Sequence, residues 1–192
     1  MAVRWMVAVG MLVLAAPGVA PAQQYPGVYG RKLLISDPGS ETQRKIVVKI
    51  VNAGLDVDGI DPLANGLFLH VYNSAGTSDS VCYPLPASGW KAAGSGFRYT
   101  DPTAANGPCH VALLRKAKVF KAVCKATKSP IDYSLNEAAQ ASVAVRFGGG
   151  SIAYCADFGG ADRGDIPGKK FLGKNSSPPL FCPTPPATCP AS

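Results

Sequence analysis

Ten short apolar runs succeed one another along this chain, and none repeats at the 3.6-residue interval of a helix face. They are RKLLIS (31–36), RKIVVKIVN (44–52), GLFLHVYN (66–73), SVCYPL (80–85), GFRYTD (96–101), HVALLR (110–115), KVFKAVC (118–124), IDYSL (131–135), ASVAVRF (141–147) and SIAYCADF (151–158). Gly, Pro, Asn and Asp punctuate the gaps between them. Regular short strands with turn residues between predict an all-β fold, an antiparallel β-sandwich or a partly closed barrel. LNEAAQAS (135–142) reads as a strand connection, with one helical turn as the alternative.

The two ends depart from this pattern. Residues 1–22 hold Arg4, an apolar run from Trp5 to Ala16 and the small-x-small triplet Ala20-Pro21-Ala22, which together read as a secretory signal cleaved after Ala22. The run is too short to span a bilayer, and no other long apolar stretch follows, so no membrane span is expected. Removing those residues leaves 170 of the 192 and lowers the formal charge from +7 to +6 through loss of Arg4. A chain of that length forms one domain with a real core, here expected over 23–172. From Gly173 onward six prolines fall in twenty residues, which predicts a proline-rich, cysteine-containing tail (173–192) that stays out of the sheet.

All six cysteines, at 82, 109, 124, 155, 182 and 189, lie beyond the signal. An even count in an exported chain reads as disulfides. No C-x-x-C pair is present for a redox or zinc site. Strands 110–115 and 118–124 predict a hairpin centred between Lys116 and Ala117, in which opposed positions sum to 233. Cys109 and Cys124 satisfy that sum and lie within disulfide reach. The same register turns Val111 and Leu113 to the side of Ala122 and Phe120.

The motifs GRKLLISD (30–37), GPC (107–109), KAVCK (121–125), IDYSL (131–135), YCADFGG (154–160) and FCP (181–183), in that order, resemble a secreted bacterial β-rich domain family found in many uncharacterised exported proteins. The resemblance spans about residues 30–183. It implies an exported domain in which the cysteines matching 109, 124, 155 and 182 recur, hence bridges Cys109–Cys124 and Cys155–Cys182. It brings no activity and no catalytic residue. Cys82 and Cys189 fall outside the pattern and pair by default.

Catalytic chemistry is scarce. The two histidines, His70 and His110, are the only imidazoles. Neither a G-x-S-x-G elbow nor H-E-x-x-H occurs. His70 shares a strand face with Phe68 and Tyr72 and reads as a packed or surface side chain. His110 points away from Cys109, which argues against a Cys–His dyad. Asp56, Asp58 and Asp61 around Gly59 faintly resemble a calcium loop without its closing glutamate, so the expectation is a solvated loop with a weak calcium site as the alternative. DFG (157–159), RGD (163–165) and the sequon NSS (175–177) are matches by letters alone.

One patch offers a binding function. Arg115, Lys116, Lys118, Lys121, Lys125 and Lys128 cluster on the predicted hairpin. They read either as a solvated face that guards against edge pairing or as a contact for an anionic polymer such as an acidic polysaccharide. Trp90 is the sole tryptophan after the signal, a thin supply for stacking bases, so nucleic acid is not the expected partner. The favoured reading is an exported, extracellular or periplasmic, non-enzymatic module that binds or packs at the cell surface. It implies no cofactor. The alternative is a hydrolase using loop carboxylates between Asp157 and Asp165, with Asp162 among them.

Overall fold

The computed structural model describes residues 25–75, 77–135, 140–159 and 165–189. The expected signal segment, Asp162, two residues of the RGD triplet and residues 136–139 of the 135–142 stretch therefore lie outside the described residues. Within them, strands β1 (Gly30–Ser36), β2 (Lys45–Val51), β3 (Leu67–Asn73), β4 (Ser80–Leu85), β5 (Trp90–Ala92), β6 (Gly96–Thr100), β7 (Cys109–Arg115), β8 (Val119–Lys125), β9 (Ser142–Gly149), β10 (Ile152–Gly159) and β11 (Lys170–Ser176) form two antiparallel sheets. The larger sheet runs β11-β1-β2-β8-β7-β6-β5 and the smaller β10-β9-β3-β4. The fold is an all-β sandwich with three disulfides.

Alternation builds the core. Leu33, Ile46, Val48, Ile50, Leu114 and Phe120 point inward from the larger sheet, and Leu67, Leu69, Val71, Val145 and Phe147 from the smaller. Phe120 and Phe147 stack across the interface with centroids 4.0 Å apart and planes 4° from parallel. The side chains between these inward positions point outward, so each sheet has one outer face.

Three local expectations need correction. IDYSL does not join a sheet. Ile131, Tyr133 and Leu135 are buried, but the segment is held by single anchors instead: Arg44 Nη1 donates to the Ile131 carbonyl, and the Leu135 amide donates to Asp37 Oδ2. Alternation therefore served a packed loop here. The tail boundary at 172/173 is also wrong, because β11 crosses it and Gly173 pairs with Leu33. β11 is an edge strand, and the tail's prolines begin only at Pro178, past its end. Gly173 has a further reason to lack a side chain: a Cβ there would lie 2.6 Å from the Phe158 Cβ.

The hairpin register is shifted as well. From Val111 to Arg115 the pairs are Val111–Val123, Ala112–Ala122, Leu113–Lys121, Leu114–Phe120 and Arg115–Val119, one residue off the predicted sum. The loop is the three residues Lys116 to Lys118, in which Ala117 takes a left-handed φ of 49°. A one-residue shift exchanges strand faces, so Ala112 and Leu114 enter the core while Val111 and Leu113 face outward. An irregularity at His110 then restores Cys109 opposite Cys124, and that disulfide forms as expected.

Candidate functional site

The outer face of the larger sheet is basic along its whole width. None of its seven strand sequences contains Asp or Glu. Outward positions carry Lys32, Lys45, Lys49, Lys91, Arg98, Arg115, Lys121, Lys125, Lys170 and Lys174. Pairing lines many of them up across the strands. Lys174 opposes Lys32, Lys32 opposes Lys49, and Lys49 opposes Lys121. Leu113 comes next, and beyond it Arg98 and Lys91 oppose each other. A second row holds Lys170, Ser36, Lys45 and Lys125. Between the two rows runs an aliphatic line, Leu172, Leu34, Val47, Val123 and Val111.

Five pairs of like charge are thus directly opposed, an arrangement that costs stability in an antiparallel sheet. Neighbouring strands lie about 4.8 Å apart, so the Lys174–Lys32–Lys49–Lys121 row presents a near-continuous line of ammonium groups. Edge protection accounts for lysines on β11 and β5 but not on β1, β2 and β8, which are interior strands.

Of the six basic residues expected from the hairpin, Arg115, Lys121 and Lys125 belong to this face. Lys116 and Lys118 sit in the loop, and Lys116 is ion-paired with Asp58, which raises its pKa. Lys128 follows β8 and donates to the Pro102 carbonyl at 2.7 Å. Sequence reasoning missed the lysines of β1, β2 and β11. The alternation in KIVVKIV places Lys45 and Lys49 together on one side. That this side adjoins Lys121 is decided by β2 pairing with β8.

Asp56, Asp58 and Asp61 do not converge as calcium ligands. Among the described residues no group of three His, Cys, Asp or Glu side chains is placed to hold a metal. Asp56 caps a one-turn helix α1 (Val57–Ile60), accepting from the Asp58 and Gly59 amides. Asp61 caps the next, α2 (Pro62–Asn65). Capping turns the Asp56 and Asp61 carboxylates back onto their own backbone, and Asp58 pairs with Lys116 instead, which scatters the three.

The outer face of the smaller sheet is roofed. Cys155, Arg146, His70 and Cys82 occupy one transverse row across its four strands. The two ends of that row are disulfide-bonded to the tail, Cys155 to Cys182 and Cys82 to Cys189. The tail between Cys182 and Cys189 therefore crosses the sheet over the row. The Pro183 carbonyl accepts from Tyr72 Oη at 2.6 Å and from Arg146 Nη2 at 2.5 Å. The Arg146 guanidinium lies over the Tyr25 ring, 4.3 Å from its centroid. His70 is 2% exposed beneath this roof and is hydrogen-bonded to Ser80 Oγ at 2.7 Å. Burial first, and then the Arg146 charge, hold its pKa down to about 4, so it is neutral at physiological pH. Burial raises the Tyr72 hydroxyl to about 12. Neither group is poised as a base near neutrality.

Asp157 is also structurally engaged. Its Oδ1 accepts from Ser142 Oγ at 2.6 Å and Ser74 Oγ at 2.8 Å. Asp165 has its pKa raised by burial. Trp90 is buried and donates Nε1–H to the Leu85 carbonyl, so its ring is not available to a ligand. Among the described residues no helix is long and apolar enough to cross a membrane.

Fold and site together define a disulfide-stapled β-sandwich with one roofed face and one open basic face. No protein-family model matches the chain, and neither a curated protein nor a solved structure shows significant similarity to it.

Proposed function

We propose that this protein is an exported, non-enzymatic binding module that holds a linear anionic polymer, foremost an acidic polysaccharide, on the open face of its larger sheet. One observation carries the reading. Four directly opposed like-charge pairs, Lys32–Lys49, Lys49–Lys121, Lys45–Lys125 and Lys91–Arg98, persist on strands that carry no acidic residue, and a bound polyanion supplies a counter-charge there. Export rests on the signal-like first 22 residues and on three disulfides, which persist in oxidising compartments. Kinship with the secreted bacterial family belongs to the same proposal.

The geometry favours a single flexible chain. Strands in a sheet rotate by roughly 20–25° from one to the next, so outward side chains fan around the axis of the row. A rigid duplex or a flat bilayer meets only part of such a fan, whereas a single chain can follow it. No aromatic side chain points outward from the seven strands, which leaves bases nothing to stack on.

Binding by four lysines releases condensed counterions. With the single-strand coefficient, the affinity should fall with a log–log salt slope of roughly −3, and so by tens of fold between roughly 50 and 200 mM salt. The secreted protein is assayed by retention and titration against polygalacturonate, with Lys49→Gln/Lys121→Gln as the test variant and Lys116→Gln, already paired to Asp58, as the control. The double variant should lose about half the slope while its melting temperature holds or rises, because the Lys32–Lys49 and Lys49–Lys121 repulsions are relieved, and the control should keep the slope. Absence of low-salt binding to polygalacturonate and to heparin alike sinks the proposal, as does equal binding by the double variant.

A further inference from the structure

The basic row is interrupted once, at Leu113 on β7, between Lys121 of β8 and Arg98 of β6. At that interruption lies an open groove of about 360 Å³. Its floor is aliphatic: Val111, Leu113 and Val123, all half-buried. Arg98, Arg115 and Lys121 line the same groove and are exposed. The volume lies at the lower end of the range of small-ligand sites. A polyanion has no use for an apolar floor, and an uncharged apolar ligand has no use for three cations around it.

We propose that this groove binds a single anionic amphiphile, an alkyl chain lying on Val111, Leu113 and Val123 with its carboxylate, sulfate or phosphate head among Arg98, Arg115 and Lys121. Charge complementarity fixes the head, since no acid on these strands competes for the three cations. The floor fixes the tail: it offers methyl groups and no aromatic ring, the complement of an acyl or alkyl chain rather than of a sugar face. The groove is open along one side, so the chain lies in the surface and keeps one flank in water. The ligand is the free monomer rather than a bilayer, because the fanned face cannot lie flat on a membrane.

The site shares Arg98, Arg115 and Lys121 with the basic face but depends on Leu113, which polyanion binding does not use, so the two readings fail separately. Alkyl phosphates of eight, ten and twelve carbons, below their micelle concentrations, are titrated into the secreted protein by calorimetry, with a neutral alkyl maltoside as the comparison. Each added methylene that is buried should tighten binding about fourfold at most, with a plateau once the groove is filled, and the maltoside should bind far more weakly. Leu113→Asn, on the outer face, should weaken the alkyl phosphates at least tenfold while melting and polygalacturonate retention stay as in the parent. Affinity independent of chain length, equal binding of the maltoside, an unaffected Leu113→Asn variant, or binding to anionic vesicles without binding to monomers overturns the proposal, even where polygalacturonate still binds.

Discussion

Mild acid should destabilise this protein through one histidine. His70 lies under the tail with its pKa held near 4, against 6.5 for a free imidazole. In the unfolded chain it titrates at the ordinary value. Between those two pH values the unfolded state binds the extra proton and the folded state does not, so stability rises with pH across that window. The contribution is fully present above pH 6.5 and is lost as pH falls toward 4. A displacement of about 2.5 units at 1.36 kcal/mol each sets an upper limit of about 3 kcal/mol, a large part of a typical domain's total stability. Two causes act together: the roof removes water from the ring, and Arg146, directly opposite in the next strand, repels the imidazolium. The assay is urea unfolding followed by fluorescence at pH 7.5, 6.5, 5.5 and 4.5, for the parent and for His70→Gln, which can still meet Ser80. The parent should lose up to about 2 kcal/mol between pH 6.5 and 4.5, and the variant should be nearly flat there. Coincident slopes for the two proteins would refute the reasoning, as would a His70 proton titration centred near 6.5 in the folded protein.

Other consequences are more direct. Replacing both Cys109 and Cys124 by Ala removes a bridge that closes 15 residues and should cost about 3 kcal/mol by loop entropy; peptide mapping without reductant should also recover Cys155–Cys182 and Cys82–Cys189. Phe147→Ala removes one ring of the stacked pair that joins the sheets and should cost about 3–5 kcal/mol in chemical denaturation. Gly173→Ala forces a methyl against Phe158, and should lower stability by about 1–3 kcal/mol; an unchanged midpoint would mean that β11 yields at no cost. Below pH 4 a second loss should appear. Although burial alone would raise the Asp101 pKa, hydrogen bonds from Asn106, Ala105 and Thr103 lower it, so their stabilisation is present above the free carboxylate value and disappears as pH falls through the folded one. Asp101→Asn should remove that second step from the acid unfolding curve. N-terminal mass analysis of secreted protein should find Gln23 first, and an intact Met1 would refute the cleavage assignment.

Local chemistry settled much of this protein in advance. Strand alternation is a property of adjacent residues, so the runs at 31–36, 80–85 and 110–115 could be read without a partner, and so could the sandwich class they build. The Cys109–Cys124 bridge was legible because a hairpin is a local object, although its inner register was not: sliding by one residue costs nothing in sequence pattern until the core selects Ala112 and Leu114 over Val111 and Leu113. Short or polar strands such as Trp90–Ala92 and Lys170–Ser176 gave too little pattern to see, and IDYSL gave pattern without a ladder partner. What no window of sequence contains is which strands lie side by side. Lys32, Lys49, Lys121 and Lys174 become one row only because β11, β1, β2 and β8 are neighbours, and Cys155, Arg146, His70 and Cys82 become one roofed row only because β10, β9, β3 and β4 are. Both rows run perpendicular to the chain. The sequence determines what each strand contributes to such a row, and the long-range pairing of the tertiary structure decides which contributions meet.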